Sequence, residues 1–214
     1  MEEEQQHSNN SSDTSPHSFL GPAAVFYGAL MAAAILWRFL AGRAGPFTVN
    51  PVREQFPLEL LIVAGTLGLH ILLDLFGPRV SRTFARLFER LRSMLGRIGP
   101  AEALALAALS AFGEEAFFRG TLQPALGFWP AALLFALSHF PAGRDLVLWP
   151  VYALAMGLIL GYLVILAGDI WSAVALHFIV NLFSLLYMSR SDRNSRAGRR
   201  SGPPSESPDG GIGE

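Results

Sequence analysis

Glu114-Glu115-Ala116-Phe117-Phe118-Arg119 sets two adjacent carboxylates and a guanidinium into a long run of alanine, leucine and phenylalanine. An ionised group near the middle of a bilayer costs about 3 kcal/mol or more, so a membrane helix keeps one only where it has a partner and a task. Glu115 and Arg119 stand four apart, acid before base, and share one helical face as mutual partners. Glu114 points about 100° away from Glu115 around the helix. It needs a partner from elsewhere in the chain.

Two later apolar stretches supply polar groups. Phe135-Ala136-Leu137-Ser138-His139 places a histidine near the end of one, and His177-Phe178-Ile179-Val180-Asn181 places a histidine and an asparagine one turn apart on another. The spacing of four puts His177 and Asn181 on the same face. A lone histidine or asparagine in a membrane helix is more often a hydrogen-bonded packing residue than a catalyst. Three such groups and an acidic pair at one depth favour chemistry, with Phe135 read as packing beside it.

The order EExxxR, FxxxH, HxxxN on successive apolar helices resembles the CPBP family of intramembrane proteases. That family includes type II CAAX prenyl endopeptidases, bacteriocin-processing and self-immunity (Abi-like) proteins, and glutamic-type sorting proteases. The motifs cover roughly residues 100–188; residues 1–98 carry none of them.

Composition agrees with the membrane reading. Of 214 residues, 51% are hydrophobic and 15% charged, and the apolar excess lies in long blocks, which marks a polytopic membrane protein. The absence of cysteine excludes disulfides, thiol catalysis and thiolate metal sites. Every basic residue is arginine, and the arginines cluster beside apolar blocks, as orientation and headgroup signals do. Nucleic-acid binding is therefore not expected. The anticipated partners are the lipid bilayer and a membrane-associated protein or peptide substrate.

The expected fold class is all-α: a polytopic membrane bundle of about six transmembrane helices plus one interfacial amphipathic helix. Residues 1–18 are acidic and polar, too poor in apolar side chains to order themselves, and Glu2-Glu3-Glu4 is the wrong opening for a cleaved signal peptide. Residues 19–77 form two spans, Phe19 to Leu40 and Leu58 to Gly77, with Arg38 snorkelling at the end of the first. Glu59 is terminal. His70 and Asp74 share a face of the second span, either as an orienting pair or as polar glue between helices. Residues 78–98 alternate large apolar residues with arginines at helical steps, as an amphipathic helix in the interface does. Residues 99–188 form the CPBP-like core of four spans. Glu114 and His139 meet only if the turn between them lies near Gly127, so the third helix is predicted to run past Arg119 toward Leu122, with Pro124, Gly127 and Pro130 making the break. Residues 189–214, arginine-rich and then rich in Gly, Ser and Pro, read as a disordered tail.

Six spans put both ends on one side. With the termini inside, 12 of the 16 arginines are cytoplasmic, so both termini are expected to be cytoplasmic; the expected membrane is a bacterial inner (plasma) membrane.

Hydrolysis of an unactivated peptide bond needs a base for water and donors for the oxyanion. Glu114 with His139 suits the first task and His177 with Asn181 the second; the CPBP resemblance implies the same division, with Glu115 and Arg119 in support. No cofactor is expected, because an asparagine beside a free imidazole completes an acyl-transfer site. The alternative is zinc held by Glu114, His139 and His177, with Glu115 as base. A rival of another class is a proton-coupled carrier or accessory subunit, for which Gly157 and Gly161 are a candidate helix break or, equally, a close-packing pair.

Overall fold

The computed structural model describes residues 19–95, 98–139 and 148–200, with 190–200 as backbone. The predicted tail at 1–18 and the tail beyond Arg200 lie outside these residues. The described chain is helical, with no strand. Helix α1 is Leu20–Leu40, α2 Phe56–Val80, α3 Arg82–Leu95 and α4 Pro100–Glu114. A π-helical segment, Glu115–Leu122, follows, and then α5, Gln123–Leu126; α6, Phe128–Ser138; α7, Leu148–Ala167; and α8, Trp171–Arg200.

Four helices are long and apolar enough to cross a membrane: α1, α2, α7 and residues Trp171–Ser189 of α8. The protein is an integral membrane helical bundle. The other two expected spans are present as helices of a different kind. From Pro100 to Leu126 the chain is continuously helical, roughly 40 Å long at 1.5 Å per residue, but it carries Glu102, Glu114, Glu115 and Arg119. Those charges lower its hydropathy, and three of them, Glu114, Glu115 and Arg119, are buried. Helix α6 has 11 residues, about 16 Å, and does not by itself cross a hydrocarbon core of about 30 Å.

Local chemistry sets the boundaries. Glu102 reaches back to the Gly99 N–H (2.8 Å) while Pro100 opens α4, satisfying donors that a helix start leaves free. Gly127, at φ +95°, breaks the chain where a side chain would be strained, so the predicted turn and the helix running past Arg119 are both present. Ser81 is extended between α2 and α3, and a Cβ on Gly77 would come within 2.9 Å of the Phe84 ring; only glycine lets α3 fold back so tightly. Leu87 of α3 faces inward and Arg82, Arg86 and Arg90 face out, as the amphipathic pattern predicts. Helix α8 continues to Arg200, past Met188, where the sequence ends the last span and begins a disordered tail; helical geometry persists into the arginine-rich stretch.

The 41–55 connection binds one end of the bundle. Arg53 donates to Glu59 (2.9 Å) and to both oxygens of Asp169 (2.9 and 2.7 Å), and Ser172 donates to Glu59 (2.6 Å). Glu59 is therefore a buried member of a clamp rather than a terminal charge. Arg38, at the end of α1, donates to the carbonyls of Ala44 and Gly120. Helix α3 covers the opposite end, with Phe88 edge-on to Tyr187. Helix α7 is unbroken through Gly157 and Gly161. A Cβ at Gly157 would meet Phe135 and the Ala132 carbonyl at 3.2 and 3.3 Å, and one at Gly161 would meet Gln123 at 2.9 Å. The two glycines serve close packing, and α7 has no break there.

With α2 crossing the membrane, its two ends lie on opposite sides. The chain lacks cysteine, so single substitutions Thr48→Cys and Ser93→Cys should label with an impermeant maleimide from opposite faces of sealed vesicles. Labelling from the same face would show that α2 does not cross.

Candidate active site

Glu114 ends α4 and Glu115 begins the π-helical segment. A π-turn widens the helix by one residue per turn and is found mostly at functional sites. Here its wider pattern is visible in the Gln123 N–H bonded to the Phe118 carbonyl and in the Thr121 hydroxyl donating to the Ala116 carbonyl. Arg119 donates to Glu115 Oε1 (3.1 Å) and to the Gly157 carbonyl (3.3 Å), and its guanidinium lies 4.1 Å from the centre of the Phe135 ring. The predicted i,i+4 pair is thus present, wholly buried. It is held by a carboxylate, a carbonyl and an aromatic face, a fit for the planar guanidinium that lysine would not reproduce.

Glu115 has a second partner that the sequence did not reveal. His177 Nδ1 lies 2.7 Å from Glu115 Oε1, so this nitrogen carries the proton and donates it to the carboxylate. His177 Nε2 then faces Glu114 Oε2 at 3.9 Å, and His139 Nε2 faces the same oxygen at 3.7 Å. His139 Nδ1 is 2.7 Å from the Phe135 carbonyl and is likewise fixed as the donor. Both histidines therefore aim Nε2 at Glu114, each as an acceptor when neutral and a donor when protonated. Glu114 Oε2 is buried with no hydrogen bond of its own among the described residues. The four predicted groups are not equally close: Asn181 donates to the Ser110 hydroxyl (2.9 Å), which in turn donates to the Ala107 carbonyl (3.1 Å). One Asn181 N–H is thus committed to a neighbour of the site. Phe135 does more than fill space, for its ring also contacts His139 (4.5 Å) and His177 (6.1 Å).

Two participants were absent from the sequence reading. Ser110 stands four residues before Glu114, on the same helical face, and periodicity alone would have found it. Tyr27 of α1 lines the same cavity as Glu114, and no spacing rule connects the two.

Zinc commonly takes two imidazole nitrogens and one carboxylate oxygen, and Nδ1–H bonds to a carbonyl and a carboxylate are the usual outer partners of such ligands. Glu114, His139 and His177 fit in atom type. Among the described residues, however, no group of three His, Asp or Glu has the spacing to hold a metal ion.

A cavity of about 440 Å³ reaches Glu114 and His139. Its walls include Phe26 and Leu30 of α1, Leu91 and Met94 of α3 and Trp149 of α7, so it is apolar with a polar floor, the usual character of a ligand site. It lies against α3 and shares no lining residue with the Arg53 clamp.

The predicted His70–Asp74 pair belongs to a different cluster. Tyr152 hydrogen-bonds His70 Nδ1 (2.8 Å), His70 Nε2 meets Ser184 (2.9 Å), and Ser184 donates to Asp74 (2.6 Å). These bonds tie α2, α7 and α8 together, which is the glue reading.

Residues 98–183 match the family model described as type II CAAX prenyl endopeptidase, Rce1-like. The resemblance read from the three motifs holds over that segment, and the matching family is described as one of endopeptidases. A Bacillus subtilis (strain 168) protein, "Uncharacterized protein YpbD", is 37% identical over 78 residues, which is 36% of this chain and 40% of that protein. No solved structure matches at a significant level.

Removing one member of a buried ion pair leaves the other charge uncompensated, at a cost of about 3–5 kcal/mol. Arg119→Ala should therefore lower the thermal midpoint of the purified protein sharply, and Arg119→Lys less so. An Arg119→Ala protein as heat-stable as wild type would remove Arg119 from its supporting role.

Proposed function

We propose, from the premise that residues 98–183 are an Rce1-like peptidase core, that this protein is an intramembrane endopeptidase that cuts a peptide bond near the terminus of a membrane-associated protein or peptide. The observation that carries this reading is the convergence of Glu114 Oε2 with His139 Nε2 (3.7 Å) and His177 Nε2 (3.9 Å) at the floor of an apolar cavity. The Glu114–His139 gap is too long for a direct hydrogen bond and suits a water bonded to both. Glu114 takes the water's proton as the oxygen attacks the scissile carbonyl, and later returns it to the leaving amine. His177, with Glu115 at Nδ1 as counter-ion, presents Nε2–H to the developing oxyanion. The uncommitted N–H of Asn181 is the second donor. Arg119 holds Glu115, and Glu115 holds His177.

The cavity lies against α3, at the end of the bundle that carries most of the arginines. With that end cytoplasmic, both termini lie inside, and the substrate is a tail presented from the cytoplasmic leaflet. The apolar walls suit an apolar or lipid-modified segment beside the cut. A carrier has less in its favour, because α7 is continuous and the π-helical segment keeps its backbone bonded. Zinc hydrolysis has one specific observation behind it, the two outward-held Nδ1 atoms. A metal-free mechanism is preferred because Glu115 and Asn181 give His177 a complete task as a donor.

The test compares the C-termini of membrane proteins, by mass spectrometry, in cells carrying the wild-type chain and cells carrying Glu114→Gln. Termini that shorten only with wild type identify substrates. On such a substrate, Glu114→Gln should lower turnover about 10²–10⁴-fold and Asn181→Ala about 10²–10³-fold, with the proteins still folded and inserted. Identical termini in the two strains would sink the protease reading. Loss of activity on chelation, recovered with zinc, would replace the metal-free mechanism with the zinc one.

A further inference from the structure

Trp149, Ala153, Gly157 and Gly161 stand at steps of four in α7 and so lie along one face of the helix. That face packs on α6. A Cβ on Gly161 would come within 3.0 Å of the Phe128 ring, and one on Gly157 within 3.2 Å of the Phe135 ring; Ala153 is buried in one cluster with Phe135. Small side chains let the two helices approach this closely. The fourth position carries the largest of the twenty side chains, and it falls beside His139. The indole of Trp149 and the imidazole are 6.2 Å apart between ring centres and 27° from parallel, an offset stack. Trp149 also lines the cavity together with Glu114 and His139.

We propose that Trp149 is a positioning residue of the active site: its indole lies against the imidazole of His139 and keeps Nε2 turned toward Glu114. The proposal rests on His139 acting with Glu114 on the water. His139 is the least buried of the three converging groups, with 21% of its side chain exposed against 8% for Glu114 and 7% for His177, and it stands at the C-cap of α6, past the last helical residue. Its Nδ1 is held from within α6, 2.7 Å from the Phe135 carbonyl. That bond fixes one corner of the ring and leaves the ring free to pivot about it, which would swing Nε2 away from Glu114. The Phe135 ring meets the imidazole at 49° and belongs to the same helix. Trp149, closer to parallel and on a separate helix, ties the plane of the imidazole to α7. The small residues that follow it at steps of four seat α7 closely enough on α6 for that contact to form.

The test uses the full chain in liposomes with isotopically labelled histidine. Magic-angle-spinning NMR reads the dipolar order parameter of each imidazole ring without any need for activity, and the His139 signals are those that His139→Gln removes. Trp149→Leu should lower the order parameter of His139 while leaving His70 and His177 unchanged, and Trp149→Phe, which keeps an aromatic face, should restore it. An unchanged His139 ring in Trp149→Leu would overturn the proposal. Loosening of all three rings together, without rescue by Trp149→Phe, would make Trp149 a packing residue and overturn it too. With a farnesylated CAAX reporter peptide, kcat should fall about 3- to 10-fold in Trp149→Leu, the usual worth of one aromatic contact, and return close to the wild-type value in Trp149→Phe. Wild-type kcat in Trp149→Leu would sink the positioning role and leave the protease reading intact. Full cleavage by Glu114→Gln would instead overturn the protease reading, and with it the kinetic consequence of the Trp149 contact.

Discussion

The structure depends on how three charges are kept inside an apolar bundle. Arg119 is enclosed by Glu115, the Gly157 carbonyl and the faces of Phe135 and Phe118, and Glu115 passes the constraint on to His177 at 2.7 Å. With both glutamates ionised and Arg119 charged, the cluster carries one excess negative charge. In a low-dielectric setting the natural complement is one proton, and Glu114, His139 and His177 are the groups placed to share it. The arrangement that balances the charges is therefore also one in which a proton can move between a carboxylate and two imidazoles, as general acid–base chemistry requires.

Helix α8 is the element to which this constraint ties the rest of the bundle. Its polar residues each engage a different partner: Ser172 the Arg53–Glu59 clamp, His177 the π-helical segment, Asn181 Ser110 of α4, and Ser184 the His70–Asp74 pair of α2. Lipid supplies no hydrophobic drive between apolar helices, so polar contacts and close packing fix their rotation and register. A rotation of α8 about its axis would break all four sets together. The clamp and the His70 cluster, though remote from the chemistry, thus determine where His177 and Asn181 point.

Much of this was legible in the sequence because it is local or periodic. The Glu115–Arg119 pair follows from spacing, the turn at Gly127 from the requirement that Glu114 meet His139, and the amphipathic α3 from its three- and four-residue steps. The rest is set by tertiary approach, which spacing does not encode. His177 could be placed at the right depth, but whether it would face Glu114 or Glu115 depends on the rotation of α8; it engages both, through different nitrogens. Glu59 read as a terminal charge because Arg53 and Asp169 come to it from separate connections. Nothing in α1 reveals the carbonyls of Ala44 and Gly120 to which Arg38 donates. The π-helical segment has no sequence pattern of its own, since its residues fit an α-helix equally well.

The division between a recognisable core and the helices before it has a physical consequence. Residues 98–183 carry every charged or histidine group of the site, but those groups alone do not enclose a cavity: Phe26 and Leu30 of α1 and Leu91 and Met94 of α3 supply much of its wall. On the proposed reading the core fixes where a bond can be cut, because the reacting groups must keep their mutual geometry within tenths of an ångström. The wall decides what can lie against them, and apolar walls tolerate exchanges of similar volume far better than a hydrogen-bonded cluster does. On that reading helices α1 and α3 tolerate exchange more readily than α4, the π-helical segment, α6 and α8. That asymmetry accounts for motifs confined to the second half of the chain even though the cavity is built from both halves.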